Sequence, residues 1–158
     1  MALIPAQMQA SWAPLNAPST SGSLTAEIIM TGFQGYAMAA QNSMGFPVTA
    51  MPGFSAGKAQ LKAAMAAPIP SGALLAASIT GAISTAWGSV MTQFQTSPII
   101  HVPPSLQGQL AGALAAPIPA GALFINALMN AIHTYVSTSN IIGVIPGTPP
   151  VPFAGPPL

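Results

Sequence analysis

Five side chains in this chain carry charge or titrate near neutrality: Glu27, Lys58, Lys62, His101 and His133. General acid and base work needs titratable groups whose environments push their pKa values apart. Glu27 is the sole carboxylic side chain, so no carboxylate pair can form within one chain. Two imidazoles without Cys or Asp do not complete a metal site. The residues at the repeat positions of His101 and His133 also differ from copy to copy, which does not fit a metal site built on the repeat. A serine nucleophile needs a base held by an acid, and the elbow Gly-x-Ser-x-Gly is missing. Gly32-Phe33-Gln34-Gly35 and Gly108-Gln109-Leu110-Ala111-Gly112 lack the lysine and the preceding strand of a phosphate loop. The expectation is a protein that is not an enzyme, with no catalytic, cofactor-binding or metal-ligating set and no small-molecule substrate.

The remaining polar and aromatic residues read as structural. His133, beside Asn130 and Tyr135, is expected to be a hydrogen-bonded surface or interface histidine. Of Trp12, Trp87, Tyr36 and Tyr135, three sit in or beside helices with apolar neighbours, and no basic residues accompany them, so they read as core or interface rather than as stacking platforms. Lys58 and Lys62, one helical turn apart, read as a small solvated patch. Two lysines cannot supply the clustered charge that displaces counterions from phosphate, so nucleic acid is excluded as a partner.

Charged residues are 2% of the 158 residues and the net charge is +1, against about 25% charged residues in ordinary soluble domains. So few charges leave little to oppose self-association. Most of the surface is therefore expected to be covered, by protein subunits or by lipid. Cys is absent, which excludes disulfide stapling. Met-Ala-Leu-Ile-Pro at the start has no basic or long apolar leader region, and Met1 is read as the start of a protein made without export processing.

What positions these residues is a repeat. Ala66-Ala67-Pro68-Ile69-Pro70-Ser71-Gly72-Ala73-Leu74 returns 49 residues on as Ala115-Ala116-Pro117-Ile118-Pro119-Ala120-Gly121-Ala122-Leu123, and an eroded copy, Asn16-Ala17-Pro18-Ser19-Thr20-Ser21-Gly22-Ser23-Leu24, lies 50 residues upstream. Three copies of one unit predict a repeat architecture: units over 4–53, 54–104 and 105–140 within a single domain 1–158, and an extended arm over 141–158. Each unit is expected to hold a short helix, a Pro-x-Pro elbow and a long helix, giving an all-α fold. The short helices are placed over 6–12, 56–66 and 105–115, and the long ones over 21–43, 71–95 and 120–139, with Ser21 and Ser105 as caps. Residues 48–55 read as a loop. Six prolines in the last thirteen residues favour polyproline II over 141–158.

Counted from Leu24, Leu74 and Leu123, the positions five, nine, twelve and sixteen residues later fall within about 60° of one another on a helix. They are Ile29, Phe33, Tyr36 and Ala40, then Ile79, Ile83, Ala86 and Val90, then Leu128, Ile132, Tyr135 and Ser139. This stripe is the expected buried face. Small residues elsewhere on the helices, Gly32, Gly35 and Gly81 among them, point to close approach of neighbouring backbones.

The segment Ala131-Ile132-His133-Thr134-Tyr135-Val136-Ser137-Thr138, with Ile141-Ile142-Gly143-Val144 and Pro149-Pro150-Val151-Pro152-Phe153-Ala154-Gly155, resembles the C-terminal ends of small virion structural proteins of tailed bacteriophages. The resemblance covers the C-terminal third. It implies a non-enzymatic subunit of a tail, baseplate or neck, assembled in the host cytoplasm and carried in the virion, whose partners are other subunits including copies of itself. The alternative is a small integral membrane protein: Ser71 to Met91 is 21 residues without a charge, close to the ~20 needed to span a bilayer, and Lys58 and Lys62 precede it. A surface-layer matrix protein is a third reading.

Overall fold

The computed structural model describes residues 3–17, 21–102, 105–115 and 120–158. Short and long helices alternate: α1 Pro5–Ser11, α2 Gly22–Met38, α3 Phe54–Ala64, α4 Gly72–Gly88, α5 Leu106–Ala113 and α6 Gly121–Ser137, with a 3-10 turn at Ala13–Asn16 after α1. The three long helices are 17 residues each. Ser21 and Ser71 cap α2 and α4 by accepting the amides of Leu24 and Leu74, and Ser105 caps α5 through Gly108, each satisfying one amide that a helix start leaves without a partner. Pro18 and the elbow at 117–119 lie outside the described residues.

The expected all-α class is overturned by two small antiparallel pairings. Strand β1, Val48–Ala50, falls in the segment expected to be a loop and pairs with β2, Met91–Thr92. The long helix expected to reach about residue 95 therefore ends at Gly88. Gly88-Ser89 is weak in helix propensity, and the Ser89 hydroxyl turns back to donate to the Ala86 carbonyl while accepting the Gly53 amide at 2.7 Å. The C-terminal arm is a hairpin of β3, Ile141–Ile145, and β4, Val151–Gly155. Its prolines are compatible with pairing because Pro149 and Pro150 occupy the turn and Pro152 sits on β4, whose other edge is open to a residue lacking an amide. β3 is the inner strand: Val144 and Thr96 donate amides to Phe94 and Ile142 across its second edge.

Packing closes the helices into a ring. α1 packs on α2, α2 on α3, α3 on α4, α4 on α5, α5 on α6, and α6 returns to α1. Each short helix thus lies between the long helix of its own unit and that of the unit before. The segments leaving the long helices repeat the pattern. Met91 pairs with Ala50, and Asn140 exchanges two backbone hydrogen bonds with Ile100, at 2.7 and 3.0 Å. Gln41, the same position in the first unit, exchanges two with Leu158, at 3.1 and 2.8 Å. A cyclic set of like contacts is generated by rotation rather than by a screw, so the three units surround a pseudo-threefold axis.

The predicted stripe lines the core: Val90 and Tyr135 are 1% and 5% exposed and the other ten positions are fully buried. The expected close approach of a neighbouring backbone occurs at none of the three glycines: Gly32 is crowded by side chains instead. A Cβ on Gly32 would overlap the Trp12 indole, which donates to the Ile29 carbonyl at 3.0 Å, whereas Gly35 and Gly81 face open space. No described helix is long and apolar enough to cross a membrane.

Candidate functional site

The residues with the most chemistry form two structural groups. Glu27 on α2 is gripped by both lysines of α3, Lys58 and Lys62. The lysines, expected as a small solvated patch, are partly exposed and clamp the one carboxylate. Hydrogen bonds from Lys58 and then Lys62 hold the Glu27 carboxyl below its ordinary range. Every charged side chain of the molecule is spent in this cluster, which joins the first unit to the second.

The histidines join units as well. The Tyr36 phenol and His133 Nδ1 share a hydrogen bond of 2.6 Å. Tyr135 donates to Ser84 at 3.1 Å and lies 3.0 Å from His101 Nε2, with the two rings stacked at 4.5 Å. Burial pushes both imidazoles towards the neutral form and both phenols above their ordinary range, the Ser84 contact partly offsetting this for Tyr135. His101, Val102, Ser105 and Tyr135 line an open cleft of about 440 Å3. It holds no nucleophile beside an acid-oriented base, and among the described residues no three His, Cys, Asp or Glu side chains gather. His133 and His101 are 32 residues apart in sequence and serve different inter-unit contacts.

The feature left over is the surface. Over the three aligned long helices, two positions are identical in every copy: the first glycine and the third residue, leucine. Core positions drift between Ile and Leu, Phe and Ile, or Tyr and Ala, yet Leu24, Leu74 and Leu123 stay the same while 50%, 52% and 70% exposed. Each is the third residue of its long helix, in the first turn. Met38, the last residue of α2, and Met91, three residues beyond α4, are also exposed, as are Met44, Ile100 and Leu158. No family model, curated protein or solved structure matches this chain. What the chemistry offers is a nearly uncharged ring that exposes several large apolar side chains.

Sequence reasoning missed two elements of this arrangement. The leucines that align the copies lie exposed on the surface, and their constancy beside a drifting core was the available signal that they stand outside it. Asn42 carried no signal. It is fully buried, accepts the amides of Met44 and Phe46 at 3.0 Å each, and donates to Thr92 and to the Gln93 carbonyl. A single amide side chain thus ties the first exit turn to the second unit.

Proposed function

We propose that this protein is a non-enzymatic structural subunit of a larger protein assembly, and that the assembly is a phage or phage-like particle with this ring in its tail, baseplate or neck. The observation that carries the assembly reading is the pairing of a ring whose charges are all gathered in one clamp with large apolar side chains, Leu24, Leu74, Leu123 and Met91 among them, left exposed. Monomeric soluble surfaces keep contiguous apolar area small and intersperse charge. This surface does not intersperse charge and leaves large apolar side chains exposed, and contact with other subunits removes the cost of exposing them. The phage assignment is supported by the C-terminal resemblance, and a threefold-repeated ring suits an axial position in a particle built on rotational symmetry.

Particle preparations from the native source test this. Quantitative mass spectrometry is expected to find the chain in sedimenting particles at a fixed ratio to their major subunit. Recovery only as a free chain of its own mass overturns the reading, and recovery only with detergent-extracted membranes transfers it to the membrane alternative.

A further inference from the structure

We infer that the prolines of β4 guard the open edge of the hairpin: their spacing along the outward row of the strand withholds the amides that a strand from another chain, a second copy included, would need in order to add there. The inference goes beyond the assembly reading and stands whether or not the ring works inside a particle.

Hydrogen-bond alternation fixes which way each residue of the hairpin points its backbone. On β3, Val144 donates to the Phe94 carbonyl at 3.0 Å and Ile142 accepts the Thr96 amide at 3.0 Å, so these two residues face the segment 94–96. In an antiparallel pair neighbouring residues point to opposite edges, which leaves Ile141, Gly143 and Ile145 to exchange bonds with their partners Gly155, Phe153 and Val151 on β4. The residues between those partners, Pro152 and Ala154, therefore turn their backbones to the outer edge of β4, and both are exposed. The every-second spacing continues with Pro150 on one side and Pro156 on the other. Along that row Ala154 alone has an amide hydrogen, while none of the residues that must donate inward, Val151, Phe153 and Gly155, is proline.

What the row protects against follows from composition. Ile141, Ile142, Val144, Ile145 and Val151 are β-branched, and residues 141–158 hold no charged side chain, a composition that favours pairing with further strands. Charge is a common way of discouraging such pairing at an edge, and here Glu27, Lys58 and Lys62 are engaged with one another between α2 and α3. β3 is covered along both edges, by β4 and by the segment 94–96, so the open edge of the hairpin is that of β4. An incoming strand would meet proline rings where it needs donors, and its own carbonyls would be left without partners. Proline at the inward positions would break the hairpin. At the outward ones it removes no ladder bond and ends the sheet there.

Amide hydrogen exchange in the wild-type chain tests the geometry. Ala154 is expected to exchange about tenfold or more faster than Phe153 and Gly155, and equal protection of the three overturns the inference. Replacing the guard tests what it does. Pro152→Val, followed by light scattering and by the intermolecular-strand band of the infrared spectrum, is expected to associate at about one-tenth of the concentration that the wild type tolerates. Ala154→Pro added to that variant puts a proline back on the same row and is expected to restore the wild-type threshold. Near-ultraviolet circular dichroism of the buried Trp12 and Trp87 separates association of folded chains from aggregation of unfolded ones, and Pro156→Val, just outside the strand, makes the same test if P152V unfolds. A folded variant that stays as dispersed as the wild type, association that persists unchanged with A154P, or a wild type whose own chains pair through β4 overturns the inference. The particle-fraction experiment reads none of these quantities and decides the assembly reading separately.

Discussion

Tyr36 and His133 stand 97 residues apart in sequence and share a hydrogen bond of 2.6 Å, and its counterpart joins Tyr135 to Ser84 at 3.1 Å. Both link the position twelve residues after the repeat leucine in one unit to the position ten residues after it in the unit before. The first unit takes its partner from the third, as a ring requires. Replacing Tyr36 by Phe removes the phenol while keeping the ring packed, and is expected to cost about 1 kcal/mol. Chemical denaturation compared with Y135F checks this: both variants should lose stability, without loss of the helical signal.

The same contacts set a pH response. Burial lowers the pKa of His133 and of His101 from the ordinary 6.5. A histidine held neutral by the fold contributes stability that is present above 6.5 and is lost as the pH falls through the lower folded value. Nuclear magnetic resonance titration should place both midpoints below 6.5 and show stability declining from neutral to mildly acid conditions. A midpoint at or above 6.5 for either imidazole contradicts the burial argument for that residue.

Glu27 works in a lower window. Its pKa is depressed from 4.5 by the lysines, so its contribution is present above 4.5 and disappears as the pH falls through the folded value. Glu27→Gln should abolish that part of the acid dependence and make unfolding below pH 4.5 flatter. The cluster is solvent-exposed, so raising the salt concentration should mimic part of the substitution.

Gly32→Ala tests the approach of α1 to α2. A Cβ there meets the indole of Trp12, and overpacking a closed core costs about 1–3 kcal/mol. At Gly35, on the same helix but facing open space, the same substitution should stabilise by relieving the backbone entropy of glycine, by about 0.5–1 kcal/mol. Thermal unfolding of the two variants should therefore move in opposite directions.

The contrast between those glycines marks what was legible in the sequence. Helix periodicity is local, so the buried stripe from Ile29 to Ser139 and the serine caps could be read from spacing alone. The repeat announced three like units. Whether like units stack in a line or close on themselves is decided by contacts far apart in sequence, such as Gln41 with Leu158 or α6 with α1, and no spacing encodes them. Strand pairing failed for a related reason. Val48–Ala50 and Met91–Thr92 are too short to show alternation, and the prolines of the last segment hid a hairpin whose edge position tolerates them. The lysine clamp was missed because Lys58 and Lys62 were read on their own helix, and their partner sits on another.

The assembly reading has a built-in probe. Met38, Met44 and Met91 are 40%, 49% and 53% exposed, while Met8 and Met30 are fully buried, so the first three should oxidise quickly in the isolated chain and the last two slowly. Hydroxyl-radical footprinting of the chain inside particles from its native source, set beside the purified chain, is the most direct measurement. Enclosure by neighbouring subunits predicts that Met38, Met44 and Met91 fall toward the slow rates of Met8 and Met30. Equal oxidation of the exposed methionines in the two preparations would contradict it.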